Sequence, residues 1–324
     1  MSGLPNVRDA AKTLLAVVLC TMARLSGARA GIALVYHRVG GEGGDSRLEI
    51  LAAVSGESFR RQLRHLARHY RIVRGSELLD AVHARRRGQR FPAAITFDDD
   101  LTGHVRDALP ALQEAGLSAT FFLGGTSLGG PHRFWWEDLQ RAVDGKLIEA
   151  NAVPHVAETD VRAALERSPK AIFRVAATIE RLERPQRAET AAALRAAAGP
   201  PGNDERLPAE DIRTLVAGSA EIGFHTLRHD LLTELSDDEL ADALREGRDE
   251  LAGVTGTRLE TLSYPHGQAD ERVARAARGA GFVFGFVTAR RRVDADTDPL
   301  LIPRIPPAMS PGKTALRLAR AVTQ

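Results

Sequence analysis

Two clusters of side chains have the types and spacing to hold a divalent cation beside a free base. Asp98-Asp99-Asp100 follow directly on the apolar run Ala93-Ala94-Ile95-Thr96-Phe97. His225 and His229 are four residues apart in Gly223-Phe224-His225-Thr226-Leu227-Arg228-His229. On a helical turn, residues at that spacing share a face, so the spacing predicts two imidazoles aimed at one ion. Two imidazoles and one carboxylate leave coordination positions open, which is the composition of a catalytic site for zinc or a similar divalent ion. The bland alternative is a metal-free α/β protein in which the acids and histidines cap helices and turns. A third segment, Ser263-Tyr264-Pro265-His266-Gly267, also falls at the end of an apolar run.

Each cluster lies where a strand should end. The apolar, β-branched runs Gly31 to Tyr36, Ala93 to Phe97, Ser118 to Leu123, Ala220 to Phe224, Leu259 to Ser263 and Phe282 to Val287 read as buried strands. Helical spacing separates them at Glu57 to His69, from Ser76 as a cap, at Val105 to Ala115 with Gly116 as a stop, and at Pro208 to Ala217. It returns at Ser236 to Leu251, with Ser236 and Glu239 as a capping box, and at Asp270 to Gly279. Alternating β and α elements predict a parallel sheet closed or nearly closed into a barrel. In such folds ligands gather at the carboxyl ends of the strands, so the three clusters should meet on one face.

Between about 146 and 206 strand signals give way to Ala, Arg and Glu, which reads as a helical insertion closed by Gly199-Pro200-Pro201-Gly202. Just before it, Phe134-Trp135-Trp136 reads as core packing under a loop, with an aromatic wall for a sugar ring as the alternative. The Arg85-Arg86-Arg87 run reads as a solvated helix end. A final helix is expected over 311–324.

Composition narrows the function. The 44 basic and 42 acidic residues leave a net charge of +2, which argues for neither a nucleic-acid groove nor an acidic tail. Cys20 is the single cysteine, so there is no intramolecular disulfide and no paired-cysteine metal site. Any metal must be held by histidine and carboxylate.

Residues 1–30 allow two readings. Leu14 to Ala23 is too short to span a bilayer, and with Ala28-Arg29-Ala30 behind it resembles a secretory signal. Asp9 and Arg24 do not suit a signal. Val7, Ala11, Leu14, Leu15, Val18, Leu19, Met22 and Leu25 instead form a helical stripe with Arg8, Lys12 and Arg24 off it. That pattern predicts an amphipathic helix lying on a membrane surface or docked on the domain, and it favours a cytoplasmic or membrane-associated chain over a secreted or periplasmic one.

Taken together and in order, these motifs resemble the polysaccharide deacetylases, carbohydrate esterase family four. Thr96-Phe97-Asp98-Asp99 resembles the family's first motif, and His225-Thr226-Leu227-Arg228-His229 its histidine motif. Tyr264-Pro265-His266-Gly267 is similar to its Tyr-Pro-x-Gly segment, and Leu34-Val35-Tyr36-His37-Arg38-Val39 and Pro303-Arg304-Ile305 match its opening and closing habits. The resemblance covers about 31–307 and implies a distorted (β/α) barrel. It implies a divalent metal, zinc foremost, on Asp99, His225 and His229, with Asp98 as general base to a water activated by that metal. It places oxyanion stabilisation around Tyr264 to His266. It implies removal of acetyl groups, N-acetyl before O-acetyl, from a poly- or oligosaccharide that could be lipid-linked. The alternative is a carbohydrate-binding relative that keeps the metal but not the turnover.

The sequence departs from the family pattern at two places. Asp100 stands where glycine is usual, adding a carboxylate that could tighten a cation or raise its neighbours' pKa values. No histidine follows His266, so His266 or His37 could substitute as general acid, with a packed or hydrogen-bonded imidazole as the alternative for either.

Overall fold

The computed structural model describes residues 7–126, 128–130, 132–200 and 207–323. In chain order the elements begin with α1 (Val7–Arg24), β1 (Ala30–Tyr36), α2 (Gly56–His69), β2 (Arg71–Val73), α3 (Leu78–Ala84), β3 (Pro92–Asp98), α4 (Leu109–Ala115) and β4 (Thr120–Leu123). Four helices follow: α5 (Trp135–Asp144), α6 (Glu158–Leu165), α7 (Ala171–Glu180) and α8 (Arg184–Ala198). The chain then runs through α9 (Ala209–Ala217), β5 (Glu221–Phe224), α10 (Asp237–Ala243), α11 (Arg248–Thr255), β6 (Thr261–Ser263) and α12 (Glu271–Gly279). It ends with β7 (Phe284–Thr288), β8 (Val293–Asp294), β9 (Ile302–Arg304) and α13 (Pro311–Thr323). These elements form two compact units, one from segments 1–42, 54–129 and 207–324 and the other from segments 43–53 and 130–206.

The first unit is built on a single sheet in the order β8-β1-β3-β4-β5-β6-β7-β9, with β2 also paired to β3. Every pairing is parallel except β1 with β8. Just past β9, Ile305 bridges Leu34 of β1, with Ile305 N–H on Ala33 O at 2.8 Å, so the sheet curls into a nearly closed barrel. Strand side chains alternate between two buried layers, which is why these strands are apolar at nearly every position. Ile32, Leu34, Tyr36, Ile95 and Phe97 face outward against helices such as α2, which buries Phe59, Leu63 and Leu66. Ala33, Ala94, Phe122, Phe286 and Ile302 share the other layer, inside the barrel. Each fully buried Leu or Phe stabilises the fold by roughly 1.5–3 kcal/mol.

The second unit is helical and takes in residues 43–53 and 130–145 as well as the stretch read as an insertion. Its core is Leu139, Val143, Val161, Ile172, Val175, Ile179 and Leu194. Asp138, fully buried, is held between Arg133 Nε at 2.5 Å and Arg195 Nε at 3.3 Å. Phe134 stacks on Trp136 at 4.3 Å, and Trp136 is buried. Of the expected closing turn, residues 201 and 202 lie outside the described residues.

Several local expectations are corrected. The helix expected over Ser236 to Leu251 is two helices, because the chain breaks at Gly247 in the left-handed region (φ 77°), although Ser236 and Glu239 do form the capping box. Ser76 is not a cap; its N–H reaches Glu221 Oε2 at 3.3 Å and α3 starts two residues later. The stretch before α4 is a π-helical turn at His104–Ala108. Arg85 is buried, not solvated. Its guanidinium binds the carbonyls of Ala28 and Gln89 and lies 3.7 Å over the Phe91 ring. Strands β2, β8 and β9, two or three residues each, are too short to carry a periodic signal.

Candidate functional site

Because strand side chains alternate, Ala94, Thr96 and Asp98 all point into the barrel, and Asp98 is the last of them at the carboxyl end of β3. Asp98 is 3% exposed and faces Arg304, the last residue of β9. Arg304 Nη1 donates to Asp98 Oδ1 at 2.6 Å and Nη2 to Oδ2 at 2.7 Å, a bidentate pair. The same guanidinium reaches Thr96 Oγ1 at 3.1 Å and Ser263 Oγ at 2.7 Å, and Ser263 Oγ donates to Asp98 Oδ2 at 3.1 Å. Burial by itself would raise the Asp98 pKa. The Arg304 charge and hydrogen bonds, helped by His225, overcome it and hold the carboxyl at about 2.

Asp99 turns the other way. It is in the left-handed region (φ 72°), costly for a residue with a Cβ, and this directs its carboxylate toward the histidine segment. His225 Nε2 is 3.5 Å and His229 Nε2 3.8 Å from Asp99 Oδ1. Ligand atoms from Asp99, His225 and His229 all fall within 4.8 Å of one another. The histidines converge, but not on a helical turn as the spacing predicted. Residues 225–230 are an irregular loop after β5, bent by left-handed Thr226 (φ 58°) and His229 (φ 53°). Backbone strain at an observed cluster of residues is a mark of a functional site.

Neighbouring groups set the protonation of the three residues. His225 Nδ1 lies 2.9 Å from Ser263 O, so Nδ1–H donates there and Nε2 is the ring atom that faces Asp99. Burial works against the His225 charge, but Asp98 and Asp99 outweigh it and raise its pKa. Burial, reinforced by the His225 charge, lowers His229 well below the usual histidine range and keeps it neutral. Burial would likewise raise Asp99, yet the close approach of His225 and the charges of His37 and His229 bring it well below the carboxylate range.

These residues fit a divalent cation. Asp99 Oδ1 is buried and has no hydrogen-bond partner among the described residues, a costly state unless an ion satisfies it. Two imidazoles and one carboxylate are the donors that zinc and its neighbours accept.

Asp100 has a different role from the one its position suggested. Its carboxylate accepts from Gly124 N–H at 3.1 Å, Thr126 N–H at 2.8 Å and Thr126 Oγ at 2.7 Å, and so anchors the loop after β4. Burial and the nearby Asp99 charge raise its pKa, against the Thr126 bonds that lower it.

Tyr264 is fully buried; its N–H bonds Phe286 O at 3.1 Å and its hydroxyl bonds Leu300 O at 2.9 Å, so both its donors hold the fold. The loop beyond it turns through left-handed His266 (φ 59°) and Gly267 (φ 66°), where a Cβ on Gly267 would meet Thr288 Oγ1 at 2.2 Å. The His266 ring lies 4.7 Å from that of His229, with Nε2 3.3 Å from His229 O.

Sequence reasoning passed over Arg304 and Ser263 as site residues. A lone arginine inside Ile302-Pro303-Arg304-Ile305-Pro306 was the available signal, since a guanidinium in an apolar strand needs a buried anion. His104, fully buried against Phe97 and Phe121, is another; burial lowers its pKa to about 4, and its Nε2 lies 3.3 Å from His37 O.

Comparison with known proteins agrees with this fold. Within the solved structures, the chain superposes on the deacetylase PplD of Streptococcus pyogenes, solved with acetate, at a TM-score of 0.59 and 14% identity over 92% of this chain and 99% of that one. IcaB of Ammonifex degensii matches at a TM-score of 0.56 and 17% identity over 91% and 98% of the two chains. At these identities the likeness is one of fold. In sequence, the chain is 38% identical over 63 residues to the putative polysaccharide deacetylase YxkH of Bacillus subtilis, a match spanning 19% of this chain and 23% of that protein. Residues 85–285, more than half of the 324, match the polysaccharide deacetylase family model, with Asp98, Asp99, His225, His229 and Tyr264 to Gly267 inside the match, and the chain belongs to that family.

Proposed function

We propose that the protein is a metal-dependent hydrolase that removes acetyl groups, N-acetyl foremost, from a poly- or oligosaccharide. The observation that carries this reading is the division of labour between adjacent carboxylates. Asp99 faces His225 and His229 with an unsatisfied oxygen, while Asp98 is turned into the Arg304 clamp beside it. A divalent ion held by Asp99, His225 and His229, zinc being the best match to the donors, would supply Lewis acidity to the acyl carbonyl and acidify a water.

Asp98 is ionised across the working pH range and held at a fixed orientation, so it takes the proton of the attacking water as the C–O bond forms. Arg304 and Ser263 fix that orientation, since a base displaced by an ångström loses much of its effect. The developing oxyanion would lie against a backbone N–H of the Tyr264 to His266 loop. Tyr264 N–H is engaged in the sheet and Pro265 has none, which points to His266. When the C–N bond breaks, the amine takes a proton and acetate leaves. Two imidazoles border the triad for that step: His37, whose charge reaches both Asp98 and Asp99, and His266.

The test is hydrolysis of an N-acetylglucosamine oligomer by purified protein. Turnover that is lost on chelation, restored by zinc and lost in Asp98→Asn supports the reading. Bound metal with no turnover on N- or O-acetylated sugars would overturn it in favour of a binding relative.

A further inference from the structure

The outer face of α1 has no role in the site and is unlike a surface helix. Among the described residues eight large apolar side chains are exposed, and six of them are Val7 (82%), Leu14 (67%), Leu15 (45%), Val18 (46%), Met22 (65%) and Leu25 (63%). At 100° per residue, Val7, Leu14 and Val18 lie within about 40° of one line, with Met22 beside them and Leu25 in the turn that follows the helix. That line is opposite Ala16 and Cys20, the residues by which the helix docks. The docking is specific: Cys20 Sγ contacts Tyr70 OH at 3.1 Å, Arg24 Nη2 donates to His69 O at 2.9 Å, and Asp9 accepts from Gly312 N–H at 3.0 Å at the start of α13. The apolar face is therefore a surface of the folded unit. No charged side chain interrupts it over five turns.

What borders the face is cationic. Arg8 and Lys12 flank the stripe, and the one acid of the helix, Asp9, is turned inward onto Ser310 and Gly312. Alongside, α13 carries Lys313, Arg317 and Arg320 and no acid. Exposed Arg86 and Arg87 belong to the turn whose Gly88 N–H bonds Arg24 O at 2.7 Å, at the end of α1 next to Leu25. A second copy docked face to face by a twofold axis would bring these like charges together. An anionic bilayer would take the stripe into its acyl boundary and pair the flanks with its headgroups. Among the described residues no helix is long and apolar enough to cross a membrane, so contact through this helix would be peripheral.

We propose that α1 is a membrane-surface helix that lays its Val7-Leu14-Val18-Met22-Leu25 face into an anionic lipid bilayer, with α13 and the Arg86–Arg87 turn on the headgroups. The experiment is co-sedimentation of the full chain with vesicles of phosphatidylcholine alone or mixed with phosphatidylglycerol. The expected result is partition onto the mixed vesicles that weakens with salt, and about tenfold or greater loss for Leu14→Glu/Val18→Glu/Met22→Glu. These side chains point to solvent, so circular dichroism and the Tm should be unchanged. Independently, Lys313→Glu/Arg320→Glu should remove the preference for phosphatidylglycerol. Absence of binding to either vesicle overturns the proposal, as does undiminished binding by the triple variant. A dimer by sedimentation velocity that the triple variant dissociates, with no vesicle binding, overturns it in favour of a second copy.

Discussion

Arg304 and Asp98 are 206 residues apart in the chain and meet through two parallel hydrogen bonds of 2.6 and 2.7 Å inside the barrel. The pair defines one side of the candidate site, and removing one partner leaves the other buried and uncompensated. Arg304→Ala should cost about 3–5 kcal/mol of stability, read by denaturant unfolding. Arg304→Lys keeps the charge but not the fork, so it should retain more stability while still lowering kcat.

Asp98→Asn separates proton transfer from metal binding. The amide still accepts one hydrogen bond from Arg304, and Asp99, His225 and His229 are untouched. Metal content by elemental analysis should match the parent, while kcat on an acetylated oligomer falls by about 10²–10⁴. Loss of the metal together with activity would show that Asp98 is a ligand instead.

Asp99→Ala, His225→Ala and His229→Ala should each lower bound metal. The parent, stripped by chelator, should gain thermal stability when zinc is restored, because a ligand that binds only the folded state stabilises it by mass action. The three variants should lose that increment in a melting curve taken with and without zinc.

Asp100→Ala tests the loop assignment. It leaves the Gly124 and Thr126 N–H groups without their carboxylate, at a cost of about 1–3 kcal/mol for each donor that stays buried. Zinc stoichiometry should be unchanged. If the variant folds like the parent but loses metal, Asp100 belongs to the metal site after all.

A pH test falls on α2, where His65 Nε2 is buried with no hydrogen-bond partner among the described residues. Burial, with repulsion from His69, depresses its pKa from 6.5 to about 4. As pH falls below 6.5 the unfolded chain takes up this proton before the folded one. Stability therefore drops between pH 6.5 and 4 and levels off below. His65→Phe should flatten that part of the Tm-against-pH curve.

How much was legible follows from how local each feature is. The strand from Pro92 to Asp98, helix α2 and the Ser236–Glu239 capping box depend on residues a few positions apart, and side-chain periodicity or cap chemistry exposes them. The candidate ligands were legible because carboxylates and imidazoles are donors a cation accepts, and the family resemblance tied these ones together. The break at Gly247 was not legible, since the apolar spacing runs through it and only a left-handed φ interrupts it.

By itself, then, the sequence determined an alternating α/β barrel, the chemical types at its strand ends and an amphipathic leading helix. Only the tertiary structure decided that Asp98 pairs with Arg304, that Asp100 anchors the loop after β4, and that His225 and His229 converge through a strained loop instead of a helical turn. These depend on strand register and on backbone angles at single residues, and both are set by contacts among segments far apart in the chain.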